Sequence, residues 1–232
     1  MSRLFHRIPL IPSAILCVGL SLSACGGSTS DSSNAVARVG NVPVTKDMVT
    51  HWENISVGLK NFTSKAPASS RAVVPDPPSF TRCIANLRGP APKSTMAQLK
   101  RKCQTNYTEL REGTVQTLIN AEWVRGEAAE AGVHVSDAEV LKQFNQIKQQ
   151  QLPKQADFQN FLTTTHQSTA DILFSLKTQA LAAKLSQKMA QGESGKAAQA
   201  ALSNSVKSFE AKWKTRTTCS AGYVVKDCRE SK

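Results

Sequence analysis

Apolar residues recur along this chain with two periods, and the switch between them marks its elements. Val36, Val39, Val42 and Val44 flank Gly40 and Asn41, a dipeptide suited to positive φ, so a short hairpin is predicted there. The Gly-Asn order, in place of the more usual Asn-Gly, leaves the hairpin type open. Pro43 lacks an N–H and confines the second strand to an edge. The period then changes. Thr45 is a good N-cap with Asp47 behind it, and Val49, Trp52, Ile55 and Leu59 follow at helical spacing. From 60 to 98 the prolines 67, 75, 77, 78, 90 and 92 exclude a continuous helix.

Helical spacing resumes at about Asn106 and runs to Ala131, with Val115, Leu118, Ile119, Glu122, Trp123 and Gly126 along one side. Trp123 opposite the small Gly126 implies that this helix packs closely on another element. Gly132 is placed to end it as a C′ residue. Ser136 and Glu139 form a capping box for a helix carrying Val140, Phe144 and Ile147. Pro153 opens a short helix with Phe158, Phe161 and Leu162, and Ser168 caps a longer one with Ile172, Leu176, Ala180 and Leu185, to about Gln191. Residues 192 to 204 are small, polar or alanine-rich, which predicts a break before a last helix from Ser205 to Lys214 bearing Val206, Phe209 and Trp213. Thr217, Cys219, Tyr223, Val224 and Val225 suggest a short extended ribbon. The expected class is therefore mainly α, with a short N-terminal β-hairpin and a short C-terminal ribbon.

Ahead of these elements the chain has the parts of an exported precursor. Arg3 and Arg7 form a basic flank, Ile8 to Leu22 is apolar, and small residues precede Cys25. Pro9 and Pro12 interrupt the run, which is shorter than the roughly 20 apolar residues of a membrane span. Leu22, Ser23, Ala24 and Cys25 resemble the lipobox of bacterial lipoproteins. That resemblance implies a signal peptide over 1–24, cleavage between Ala24 and Cys25, and a lipid on Cys25. It also implies an anchored location on the extracytoplasmic face of a bacterial cell membrane. Residues 25–35 then have the composition of a flexible tether, and 36–232 form the folded domain, with a Pro-rich insertion at about 60–104.

Processing leaves Cys83, Cys103, Cys219 and Cys228 in an oxidising compartment. Four cysteines allow three pairings, of which sequence proximity favours Cys83 with Cys103 and Cys219 with Cys228. A zinc site lacks support, since there is no Cys-x-x-Cys pair and no close histidine. Cleavage also removes two arginines, lowering the net charge from +12 to about +10. So basic a protein beside a membrane is drawn to anionic lipid or cell-wall polymer, while export sets nucleic acid aside. Lys and Arg are spread along the chain, so a mostly solvated basic surface is expected.

Candidate chemistry is sparse. His6, His51, His134 and His166 are scattered, with no HExxH, nucleophile elbow or phosphate-binding loop. No catalytic, metal or cofactor site is expected. His51 beside Trp52 reads as structural, and Trp52, Trp123 and Trp213 read as core anchors, with a peptide-binding surface as the alternative. Asn54, Asn61 and Asn106 stand in glycosylation sequons, which a bacterial lipobox makes coincidental.

The run VARVGNVPVTKDMVTHW over 36–52 resembles the opening of the SurA and PrsA type of extracytoplasmic chaperones. The run LINAEWVRGEAAEAGVHVSDAEVLKQF over 118–144 resembles their next helices, including the terminating glycine and the Val-Ser-Asp-Ala-Glu restart. Many relatives insert a parvulin prolyl isomerase domain before a returning helix. Here the matching place is 192–204, too short for a domain, since domains usually need at least about 50 residues. The resemblance implies a SurA N-terminal-like helical core that binds unfolded or nascent exported proteins without ATP or a cofactor. Prolyl isomerase is then a family label without the activity. The competing function is a lipid-anchored envelope scaffold whose basic surface holds anionic polymer. Neither reading assigns client-binding residues, and the proline-rich insertion has no counterpart in the family.

Overall fold

The computed structural model describes residues 34–64, 71–190 and 195–230. The expected signal peptide, Cys25, most of the tether and His6 lie outside those residues, as do Pro67 and Gly192. The fold is mainly helical. Two strands, β1 (Ala35–Val39) and β2 (Val42–Thr45), precede seven helices: α1 (Lys46–Ser64), α2 (Thr81–Arg88), α3 (Met96–Glu130), α4 (Asp137–Gln151), α5 (Gln155–Thr165), α6 (Thr169–Met189) and α7 (Gly195–Thr215). β3 (Thr217–Cys219) and β4 (Arg229–Glu230) close the described chain.

The predicted hairpin forms around Gly40, whose φ of 56° suits a residue without Cβ. The sheet order β2-β1-β3-β4 leaves Pro43 on the edge strand. β3 pairs antiparallel with β1, so the two ends of the described chain meet. The Ser220 N–H donates to Val36 O at 2.9 Å and the Gly40 N–H to Arg216 O at 2.8 Å. The C-terminal ribbon is smaller than expected: Tyr223 to Val225 belong to no strand, and β4 runs parallel to β3 just beyond Cys228. Disulfides join Cys83 to Cys103 and Cys219 to Cys228, with Cα separations of 5.9 and 5.8 Å.

α3 is the spine. At 35 residues it spans about 52 Å, given a rise of 1.5 Å per residue. It starts ten residues before the predicted Asn106, behind a capping box in which Thr95 accepts from the Gln98 N–H and Gln98 accepts from the Thr95 N–H. Three apolar clusters lie along it. The sheet, α1, the middle of α3 and α7 bury Val44, Val49, Val115, Ile119, Trp123 and Trp213. The C-terminal end of α3 with α4, α5 and α6 encloses Val140, Phe144, Phe158, Leu176 and Leu185. At the other end α2 buries Phe80, Cys83 and Ile84 against Leu99 and Cys103. Every buried residue of these clusters falls between Val36 and Cys228, so the region carries its own core.

Local signals explain most boundaries. Thr45 Oγ1 accepts from the Met48 N–H, and the Ser136–Glu139 box forms as predicted. Gly132 takes φ 64°, with the Val133 N–H donating to Ala128 O across the end of α3. The insertion is more ordered than its prolines suggest. α1 continues through Ser64, Asn61 clasps both backbone groups of Ala72, and the Asp76 carboxylate accepts the N–H groups of Arg82 and Cys83 to cap α2. The expected break over 192–204 is also corrected. α7 begins at Gly195, because a run rich in alanine favours helix even without an apolar stripe. Val206 on α7 is exposed rather than core-facing. The close packing expected at Gly126 is present, and the element is α7: a Cβ there would lie 2.1 Å from the ring of Trp213.

Candidate functional site

An open apolar cavity of about 420 Å³ lies between α4, α5, α6 and the C-terminal end of α1. Its placement begins with a glycine. A Cβ at Gly58 would come within 2.7 Å of the Thr165 backbone, so α1 and α5 touch main chain to main chain. That approach brings Phe62 of α1 edge-on to Phe161 of α5, with ring centroids 5.1 Å apart. Phe144 and Phe158 pack likewise at 5.8 Å, and with Leu176 they are the most buried of the lining side chains. Ile147, Leu152 and Ile172 also line it as half-buried walls, while Phe62 stays 37 % exposed at the mouth. Lys148, Gln151, Gln167, Ser175 and Gln179 supply the polar lining.

A second groove of about 310 Å³ runs along the other flank of α6, over Trp52, Leu118, Ala121, Val124 and Phe174. Ser175 and Gln179 line both. The two apolar surfaces therefore flank α6 and adjoin at the hydroxyl and amide groups of these two residues. The lining of both grooves contains no carboxylate, histidine or cysteine. Such a surface can hold apolar side chains and hydrogen-bond an extended backbone.

The histidines serve elsewhere. His51 Nε2 is 2.8 Å from Asp171 Oδ1, tying α1 to the start of α6. Burial opposes the charge of Asp171, yet the Ser168 hydroxyl and N–H and His51 outweigh it and hold the carboxyl below its usual range. His166 closes α5 at φ 56°, and His134 gives its carbonyl to Lys184. Across the same helices Glu139 accepts from Lys184 at 2.8 Å and from Ser136, which pulls its carboxyl down to about 2. Of the tryptophans, Trp123 and Trp213 are core residues, while Trp52 is half-buried and borders the second groove.

Among the described residues two carboxylates are buried away from the grooves, Glu122, which pairs with Arg125 at 2.6 Å, and Glu53. Glu53, 5 % exposed, has Oε1 without a hydrogen-bond partner; burial pushes its carboxyl up, and Arg111 partly offsets this. The Arg111 guanidinium lies over both Tyr107 and Tyr223, at 5.1 and 5.2 Å from their centroids. Among the described residues no cluster of His, Cys, Asp or Glu could hold a metal, and no helix is long and apolar enough to cross a membrane.

No protein-family model, curated protein or solved structure matches the chain. Sequence reasoning had placed Phe144, Ile147, Phe158, Phe161, Ile172 and Leu176 on helix faces and left the client-binding residues unassigned. The structure brings these six together around a space they do not fill. Phe62 was missed, because it lies at the end of α1 in a stretch assigned to the insertion. Its signal was the spacing of Ile55, Leu59 and Phe62, which continues the helical pattern through Asn61.

Proposed function

We propose that this chain is a lipid-anchored extracytoplasmic chaperone that holds unfolded exported polypeptides and does not catalyse prolyl isomerisation. The observation that carries the reading is the pair of apolar grooves flanking α6, open to solvent, lined by aromatic rings and adjoining at Ser175 and Gln179. An unfolded client offers the matching chemistry, apolar side chains spaced along a backbone with free hydrogen-bonding groups. The resemblance of 36–52 and 118–144 to SurA and PrsA type chaperones supports the same reading, as does the lipobox at Leu22 to Cys25. Four residues separate Ala190 from Gly195, which supports a chaperone module without an inserted parvulin domain.

Two assays on residues 26–232 test it together. At stoichiometric amounts the protein should slow aggregation of an unfolded exported protein, and high salt should not abolish the effect, because apolar burial is not screened. The cis to trans rate of a prolyl peptide should stay at its uncatalysed value. Acceleration at substoichiometric protein would make the chain an isomerase. Inactivity in both assays would shift the reading to an envelope scaffold.

A further inference from the structure

The net charge of the chain is concentrated rather than spread. Residues 71–104 carry seven basic residues, Arg71, Arg82, Arg88, Lys93, Lys100, Arg101 and Lys102, against the single acid Asp76. This net of +6 is half of the +12 of the whole sequence. All seven are exposed. Asp76 is engaged by the N–H groups of Arg82 and Cys83 and lies 3.9 Å from the Arg82 side chain. Arg88, Lys93, Lys100, Arg101 and Lys102 make no ion pair among the described residues.

The fold groups this charge around one end of α3. α2 and the first turns of α3 share a small core of their own, closed by Cys83–Cys103. Met96 stands 19 residues before Val115, the first α3 residue of the main buried cluster, a distance of about 28 Å along the helix. The first turn of α3 has no acidic residue, and three bases follow in the next turn. The positive end of a helix dipole disfavours cations, so local stability does not account for them. At the same tip Met96 is 54 % exposed, and the Arg88 guanidinium touches its sulfur.

We propose that the tip of the insertion, Arg88, Lys93, Met96 and Lys100 with Arg101 and Lys102, is a docking surface for the anionic headgroup layer of a membrane. The charge selects a polyanionic surface, and the exposed Met96 selects a lipid interface over a hydrated polymer. An apolar side chain ringed by long cationic ones enters the headgroup region while the cations stay at its polar level. The proposed anchored location supplies the nearby membrane, but the contact itself needs no anchor. A docked tip would fix how the grooves flanking α6 stand relative to the bilayer.

The test uses residues 26–232, unlipidated, sedimented with vesicles of phosphatidylcholine alone or mixed with phosphatidylglycerol. Wild-type protein should bind the mixed vesicles and not the neutral ones. The combined variant Lys93→Gln, Lys100→Gln, Arg101→Gln and Lys102→Gln should lose about a hundredfold or more in affinity at low salt. A control losing the same charge elsewhere, Lys60→Gln, Lys142→Gln, Lys154→Gln and Lys207→Gln, should lose less than about tenfold at the same salt. Met96→Ser should weaken vesicle binding several-fold with an unchanged salt slope. Circular dichroism checks that each variant is folded, and aggregation suppression should persist in all of them. Equal losses in the two charge variants would overturn the proposal, as would binding of soluble polyphosphate without binding of anionic vesicles. Failure of aggregation suppression in the wild type, with vesicle binding intact, would instead count against the chaperone reading alone.

Discussion

Replacing Gly126 by alanine should destabilise the protein, although the same change usually stabilises a helix. Ala is favoured over Gly inside a helix by about 1 kcal/mol. At this position, however, the new Cβ would sit 2.1 Å from Cη2 and 2.7 Å from Cζ2 of Trp213. That ring is 5 % exposed, and its Nε1–H donates to Glu127 Oε2 at 2.6 Å. The backbone behind it is held as well: the Thr217 hydroxyl donates to Trp213 O at 2.8 Å and accepts from Trp123 Nε1–H at 2.7 Å. Moving the ring costs about 1–3 kcal/mol in repacking, and parting it from Glu127 costs about 1–3 kcal/mol more. After the propensity gain the net loss is about 1–5 kcal/mol. A domain of this size loses about 2–4 °C of Tm per kcal/mol, so a fall of about 2–20 °C is expected. Gly113→Ala is the internal control, since a Cβ there meets nothing within 4 Å on the same helix. It should raise Tm by about 2–4 °C. Thermal and urea unfolding of the two variants decide the matter. A Gly126→Ala protein as stable as wild type would refute the close approach of α3 and Trp213.

Gly58→Ala should weaken the docking of α5 on α1, because its Cβ would meet the Thr165 backbone, which cannot rotate away; a loss of about 1–3 kcal/mol in urea unfolding is expected. Glu53→Gln should flatten the pH dependence of stability. A carboxyl raised in the fold binds more protons there than in the unfolded chain, so wild-type stability should fall as pH rises above about 4.5, and the variant should not share that slope. Glu139 is held at about 2, the opposite sense; its contribution is present above about 4.5 and lost as pH falls toward 2, so Glu139→Gln should show a shallower acid transition. Removing Cys83 and Cys103 together opens a 20-residue loop and should lower stability by about 3 kcal/mol. Hydrogen exchange should place that loss in α2 and the start of α3, with the sheet unchanged.

Much of the scaffold was legible because its signals are local. Ser136 and Glu139, Gly132, Ser168 and the Gly40 turn each act within four residues, and each appears where the spacing put it. The start of α3 was missed since its first turns face α2 and lack the broad apolar stripe of Val115 to Trp123. The Thr95 to Gln98 capping box was a readable signal there. The start of α7 escapes periodicity because its alanine-rich run favours helix by propensity without an apolar stripe. The grooves flanking α6 could not be read at all. Their aromatic residues look like core in one dimension, and whether helices close over them depends on backbone approaches such as Gly58 to Thr165. The basic tip was hidden differently: a count over the whole chain dilutes 34 residues that the fold sets apart.

Photo-crosslinking from inside the grooves tests the central claim most directly. A photoreactive residue placed at position 62 or 151, at the mouth of the groove, or at 179, where the two grooves meet, should capture an unfolded exported protein and release it on refolding. The same residue at the exposed Leu141 or Val206, which line neither groove, should capture little. Equal capture at all five positions, or capture at 141 and 206 alone, would contradict client binding in the grooves flanking α6.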